Sequence, residues 1–256
     1  MKFLAVDTST DALSLAIAES HDHQIKVIDH LTQVFDQQHG VTLLPQIQAM
    51  MNQHRWQPAD IDEVIIGIGP GSYTGLRIGV TLAKMWGHSL DKQISSVSSL
   101  ALIANQVDAT NTYVIPIMDA RRLSAYVAIY HKTQDRLVAV LEDQHVDWQV
   151  WMQSLTEYIE KDPGAQWVLI GRKIDAFIEI FRQAFPTVQF SSVNAENVFP
   201  QAIESFNMNV HHPVADIHTL APNYAHATLA EREWADKHAT TVANEEENER
   251  FIEHFS

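Results

Sequence analysis

Apolar and polar positions along the first third of the chain form short runs before they settle into helical spacing. Residues 2–6, 12–18 and 24–31 are mostly apolar runs of strand length, the second reading ALSLAIA. Such runs, bounded by turn formers, predict strands. Asp7-Thr8-Ser9-Thr10-Asp11 supplies the turn between the first two. Over 41–51 the period changes, with Leu44, Ile47 and Met51 on one helical face. Pro45 must then sit in the first turn of that helix or bend it. Residues 62–68 contain Val64-Ile65-Ile66, a buried strand by composition. The glycine-rich turn 67–72 then leads into a helix over about 74–90.

The same order returns in the second half. The pattern predicts strands at 113–118, 123–130 and 136–141, a helix over 147–160, a strand over 166–170 and a helix over 173–184. Two more helices are predicted near 198–208 and 228–238. The last 16 residues, with five Glu against one Arg, read as a solvated tail. A shift of 112 positions lays Asp7 on Asp119, Ala12 on Ser124, Leu15 on Val127, Ala16 on Ala128 and Ile17 on Ile129. This repeat predicts a duplicated α/β protein. One α/β domain spans 1–108, a second spans 109–226, and a C-terminal helix and acidic tail fill 227–256.

Composition narrows the functional classes. The 256 residues allow one large domain or two small ones, and 46% hydrophobic with 19% charged residues is ordinary globular usage. The absence of cysteine excludes thiol nucleophiles, disulfides and Cys-based metal sites. Lys and Arg number 17 against 32 Asp and Glu, a net charge of −15. That leaves too few cations for a large nucleic-acid footprint, and a basic partner suits the chain better. No apolar run reaches the ~18 residues of a membrane span. The apolar stretch 3–6 is too short for a signal-peptide core, so a cytoplasmic protein is expected.

The turn at 67–75 is neither a P-loop nor a dinucleotide fingerprint. It reads as a strand-to-helix turn whose glycines supply positive φ, with Ser72 or Thr74 as helix cap. A phosphate-facing loop is the alternative. Ser72 as a nucleophile lacks both a base and the sharp elbow motif. In the following helix Gly75, Gly79, Ala83 and Gly87 recur every four residues, flanked by Leu76 and Val80. Glycine inside a helix costs up to ~1 kcal/mol against alanine. The ridge therefore calls for a close approach, either by the protein's own sheet or by a helix of another subunit. No two of the 14 histidines lie three or four apart, so they read as surface residues and no metal site is expected.

Asp7 and Asp119 end the first strands of the two copies. Facing each other across an interdomain cleft, such carboxylates can hold a magnesium-bound phosphate. Neither following turn, Thr8-Ser9-Thr10 or Ala120-Arg121-Arg122, contains the glycine that a backbone phosphate cradle needs. Arg121 and Arg122 are expected to fill that space or to ion-pair across the cleft. Asp7, Thr8, Ser9, Asp119, Arg121 and Arg122 thus read as a degenerate nucleotide cleft.

Gly69-Pro70-Gly71-Ser72-Tyr73-Thr74-Gly75-Leu76-Arg77-Ile78-Gly79 resembles the signature of the TsaB (YeaZ) family. Asp7-Thr8-Ser9, His39 with Leu43-Leu44-Pro45, and Asp119-Ala120-Arg121-Arg122 with Tyr126 match further family segments in the same order. Pro222-Asn223-Tyr224 matches the family's terminal motif only in part, because Ala225-His226 stands where Leu-Arg is usual.

The resemblance implies an actin/hexokinase-like (ASKHA) fold and a noncatalytic subunit that supports the catalytic paralogue TsaD. The product of the complex is threonylcarbamoyladenosine in tRNA. TsaD carries two metal-binding histidines in a segment that here reads Ser95-Ser96-Val97-Ser98-Ser99-Leu100-Ala101. The family's heterodimer implies a partner surface of Leu44, Ile47, Met51, Gly75, Leu76, Gly79, Val80, Ala83 and Gly87. TsaE is implied as a further partner, a homodimer when TsaD is absent, and tRNA contact only through the complex. No cofactor is implied for the chain itself, and a nucleotide only at the complex interface. A small-molecule kinase or ATPase on the same fold is the alternative, but the glycine-rich phosphate turn that would favour it is missing after Asp7. Peptide cleavage, suggested by an old family label of glycoprotease, finds no cysteine, metal pair or triad.

Overall fold

Two hairpins whose strands are buried along most of their length organise the molecule. The computed structural model describes residues 1–225 apart from 23, 36, 37, 208 and 209, and Met1–Ala225 form one compact unit. The helix expected near 228–238 and the acidic tail lie outside the described residues. In the first half β1 (Lys2–Asp7), β2 (Ala12–His21) and β3 (Gln24–Val34) form an antiparallel meander. Then come α1 (His39–Gln53), β4 (Glu63–Gly67), α2 (Tyr73–Leu90) and β5 (Gln93–Val97). β4 runs parallel to β1 and β5 parallel to β4, giving the order β5-β4-β1-β2-β3.

After α3 (Ser99–Ala104) the pattern recurs with β6 (Thr112–Asp119), β7 (Ser124–Lys132), β8 (Leu137–Asp147), α4 (Trp148–Lys161), β9 (Gln166–Gly171), α5 (Asp175–Ala184) and β10 (Phe190–Asn194). Its order, β10-β9-β6-β7-β8, repeats the first sheet strand for strand. The repeat seen in the sequence is therefore a repeat of topology. The strand registers refine it. Val6 pairs with Leu15, but Ile117 pairs with Val127, so β6 is offset from β1 by 111 residues while β7 keeps 112 from β2. One residue of slip changes the face on which a side chain emerges. Met118, not Asp119, is thus the counterpart of Asp7.

Side chains alternate along the strands into separate cores. On the outer face of the first sheet Leu4, Val6, Leu15 and Ile66 pack against Ile47 of α1 and Val80, Ala83 and Trp86 of α2. On the outer face of the second, Ile115, Val127 and Leu169 meet Trp151 and Leu155 of α4 and Phe177 and Phe181 of α5. Between the sheets lies α3, all six of whose residues are buried, with Phe3, Ala5, Ile65, Val114, Ala128 and Ile170 around it. Ser98 caps this helix, its Oγ accepting from the amides of Leu100 and Ala101.

Two local expectations change. The helix predicted near 198–208 is only a 3-10 turn, Ala202–Phe206. The chain then returns to the first sheet, where β11 (His211–Pro213) pairs with β5. α1 begins at His39, which leaves Pro45 in its interior rather than in its first turn. The Val41 carbonyl loses its helical donor, but on an exposed residue it can bond to water.

Candidate functional site

The glycine-rich turn docks onto the turn between β1 and β2. Gly69 and Gly71 have φ of +110° and +152°, values that side chains rarely adopt. Ser72 N donates to Ser9 O at 2.6 Å and Ser99 N donates to Gly69 O at 2.8 Å. Ser72 is the N-cap of α2, its Oγ accepting from Gly75 N at 3.3 Å. These anchors press α2 onto its own sheet. A Cβ at Gly79 would lie 2.6 Å from Thr8 Oγ1 and 3.0 Å from Ile66 Cδ1; one at Gly75 would strike the Thr8 carbonyl, and one at Gly87 Ile217. Thr8 Oγ1 donates to Gly75 O at 2.8 Å, a contact that requires this approach. The ridge expected at a partner surface therefore faces inward. Gly75, Leu76, Gly79, Val80 and Ala83 are buried, and Gly87 is covered by Ile217.

Asp7 is sealed beneath the same turn, 1% exposed. Its Oδ1 accepts from Ser9 N and Ser9 Oγ at 2.9 and 2.7 Å, and its Oδ2 from Ser99 Oγ at 2.6 Å. Burial raises its pKa against the opposing effect of these hydrogen bonds. Thr8 and Ser9 are buried beside it. Asp119, one step beyond the matching position, is exposed and accepts from Arg121 N at 2.7 Å. The two carboxylates do not form the expected facing pair. The cross-cleft ion pair also differs. Among the described residues neither Arg121 nor Arg122 makes one, and Arg172, just past β9, places Nη1 at 3.1 and 3.0 Å from the two oxygens of Asp11. Its guanidinium lies 4.7 Å from the Phe199 ring centre, with Glu196 beside Nε. No local pattern joins residues 161 positions apart, so Asp11 and Arg172 were not legible as a pair.

Around this bridge lies a cleft of about 750 Å³, lined by Thr10, Asp11, His39, Thr74, Arg121 and Lys173 among others. A magnesium-bound nucleotide phosphate, which an actin-like fold implies, does not fit these residues. The carboxylate at the strand end is enclosed and already has three donors, while the space against Ser9 is taken by Gly71.

A second concavity, about 630 Å³, runs between α1 and α2 on the outside of the first half. Ile47, Met51 and Trp86 form its buried floor, and Leu44 and Met85, 54% and 45% exposed, stand at its walls. Of the residues assigned by sequence to a partner surface, Leu44, Ile47 and Met51 come together here.

Two β-β-β-α-β-α-β units with a cleft between them define a duplicated α/β protein of the actin/hexokinase type. A family model described as TsaD, tRNA N6-adenosine threonylcarbamoyltransferase, matches residues 30–240. The tRNA threonylcarbamoyladenosine biosynthesis protein TsaB of Bacillus subtilis is 31% identical over 92% of this chain and 99% of its own. The Escherichia coli protein of the same name is 24% identical over 80% and 87%. The solved structure of YeaZ from Pseudomonas aeruginosa matches with a TM-score of 0.66 at 20% identity, covering 87% of this chain and 99% of that one. The chain belongs to the TsaB (YeaZ) family of tRNA threonylcarbamoyladenosine biosynthesis proteins.

Proposed function

We propose that this chain is a noncatalytic subunit of the machinery that makes threonylcarbamoyladenosine in tRNA, and that it binds and supports TsaD in the cytoplasm. The observation that carries this reading is the groove between α1 and α2, where large apolar side chains stand exposed beside a buried apolar floor. An apolar concavity with aromatic and methionine lining suits a helix from a partner subunit. Leu44, Ile47 and Met51 supply its α1 wall and floor; on α2 the contact passes from the glycine ridge to Met85, Trp86 and Leu90. The same groove serves a homodimer when TsaD is absent. TsaE joins through the complex, any nucleotide sits at the complex interface, and tRNA contact is indirect. The closure around Asp7 supports this reading against a kinase or ATPase on the same fold.

Titration of the full chain with purified TsaD tests the assignment. Tight association, lost on placing a charge at Leu44 or Met85, is the expected result. Failure of the wild-type chain to bind TsaD would exclude the reading.

A further inference from the structure

The ion pair between Asp11 and Arg172 joins the two halves, and both of its ends are held by other contacts. Asp11 sits on the turn after β1. There Ser9 O accepts from Ser72 N at 2.6 Å, Asp11 O accepts from Phe35 N at 3.3 Å, and Thr10 O lies 2.7 Å from Nε2 of His39. Arg172 follows Gly171, which packs so closely that a Cβ would meet the carbonyl oxygen of Ile117. The next turn is fixed by Ile174 N, which donates to Asn194 Oδ1 at 3.0 Å. The guanidinium itself rests on the buried Phe199 ring, with Glu196 Oε2 at 3.4 Å from Nε. An exposed ion pair usually contributes little, because ordering two long side chains offsets the attraction. Here the ordering is done by the surroundings, and the two side chains are only 30% and 39% exposed.

The position of the pair gives it leverage. Asp11 and Arg172 belong to different halves and line the same cleft. Behind them α3 lies in the core that both sheets share. Ile103 of α3 lines this cleft, whereas Ala101 lines a second cavity between the halves, of about 630 Å³. At that second cavity Asp143 of β8 is tied to the first half, accepting from Ser98 Oγ at 3.0 Å, and to Asn223 Nδ2, also at 3.0 Å. A pivot of one half about α3 therefore has to break the Asp11–Arg172 bridge or the contacts of Asp143. Proteins with two such halves commonly close around a ligand that touches both walls.

We propose that the Asp11–Arg172 pair is a built-in clasp that fixes the opening of the cleft, a task that falls to the ligand where such a cleft closes on one. The clasp keeps the halves in one relative orientation in the free chain. It uses no residue of the groove between α1 and α2, so it stands or falls apart from the binding of TsaD.

The chain has no cysteine, so spin labels can be placed one on each half through Ala49→Cys on α1 and Ala176→Cys on α5, both exposed and outside the cleft. Double electron–electron resonance on the labelled full chain, diluted with unlabelled chain so that only pairs within one molecule are read, measures the distance between the halves. The parent should give one narrow distribution. Arg172→Gln and Asp11→Asn should each broaden or displace it to the same extent, and the double variant no further than either. Arg172→Lys, which keeps the charge, should restore the distribution in part. Asp11→Asn removes only a charge from a turn side chain, so it carries the test even if Arg172→Gln disturbs the packing on Phe199. The proposal is overturned if the distribution is unchanged in both single variants, if the double variant shows the sum of the two single changes, or if Arg172→Lys behaves like Arg172→Gln.

Discussion

Gly79 occupies a position where one added carbon already crowds Thr8 and Ile66. Gly79→Leu should therefore destabilise the folded chain rather than only weaken a complex. Overpacking of this kind typically costs ~1–3 kcal/mol, or a melting point lower by roughly 2–12 °C in a domain of this size. Thermal denaturation measures it, and an unchanged melting point would contradict the inward-facing ridge. Asp143 on β8 offers a second test at this scale. Its Oδ1 accepts from Ser98 Oγ at 3.0 Å and Tyr130 OH at 3.3 Å, and its Oδ2 from Asn223 Nδ2 at 3.0 Å. Burial, reinforced by neighbouring Glu142, nevertheless raises its pKa from 3.8 to about 6. Because the folded state holds this proton more tightly than the unfolded chain, stability falls as pH rises through the interval from 3.8 to about 6. The full effect is on the order of 3 kcal/mol. Asp143→Asn should flatten that part of the stability–pH curve relative to wild type. Denaturant melts across the interval check this, and parallel curves would refute it.

At the scale of elements, the sequence was legible where periodicity and burial agree. β1, β2, β6 and β7 are apolar on both faces because each lies between helices and the central core, and continuous apolar runs mark them. β5 was hidden by its serines: Ser95 is buried and donates to Glu63, a pairing that composition does not reveal. The ridge on α2 announced a close approach without naming the neighbour, since small residues permit contact with a sheet or a helix equally. The hairpin offset of one residue, with Arg121, Arg122 and Leu123 all at positive φ, was also invisible, so Asp119 looked equivalent to Asp7. What α2 leaves outside is the apolar edge at Met85, opposite Leu44 of α1. Leu44→Asp and Met85→Asp should each weaken association with TsaD by ~2 kcal/mol or more, roughly thirtyfold. Both side chains are largely exposed, so the melting temperature should hold. Titration and melting on the same variants separate the two effects, and undiminished affinity in both would move the partner surface elsewhere.

For the whole molecule, enclosure of the strand-end carboxylate and the balance of charge point the same way. Asp7 is surrounded by Ser9 and Ser99, so the purified chain should not turn over ATP with magnesium. Sustained hydrolysis that survives Asp7→Asn would show a centre elsewhere. Charge then bears on tRNA. With a net −15, the chain approaches a polyanion against its own field. Affinity for nucleic acid comes mainly from counterions released as Lys and Arg neutralise phosphates, and each such contact adds about 0.9 to the slope of log affinity on log salt for a duplex. The cations here are few, and several are engaged: Arg172 by Asp11, Lys132 by the carbonyls of Asn105 and Val107, Arg182 by Glu179. The lone chain should therefore bind tRNA more weakly than the ~10⁻⁴–10⁻⁶ M typical of nonspecific binders, with a shallow salt dependence. Addition of TsaD should bring both affinity and slope, because the neutralising residues then come from the partner. Filter binding over a salt series, with and without TsaD, makes the comparison. Submicromolar binding by this chain alone at moderate salt would mean that a basic path for tRNA exists on its own surface.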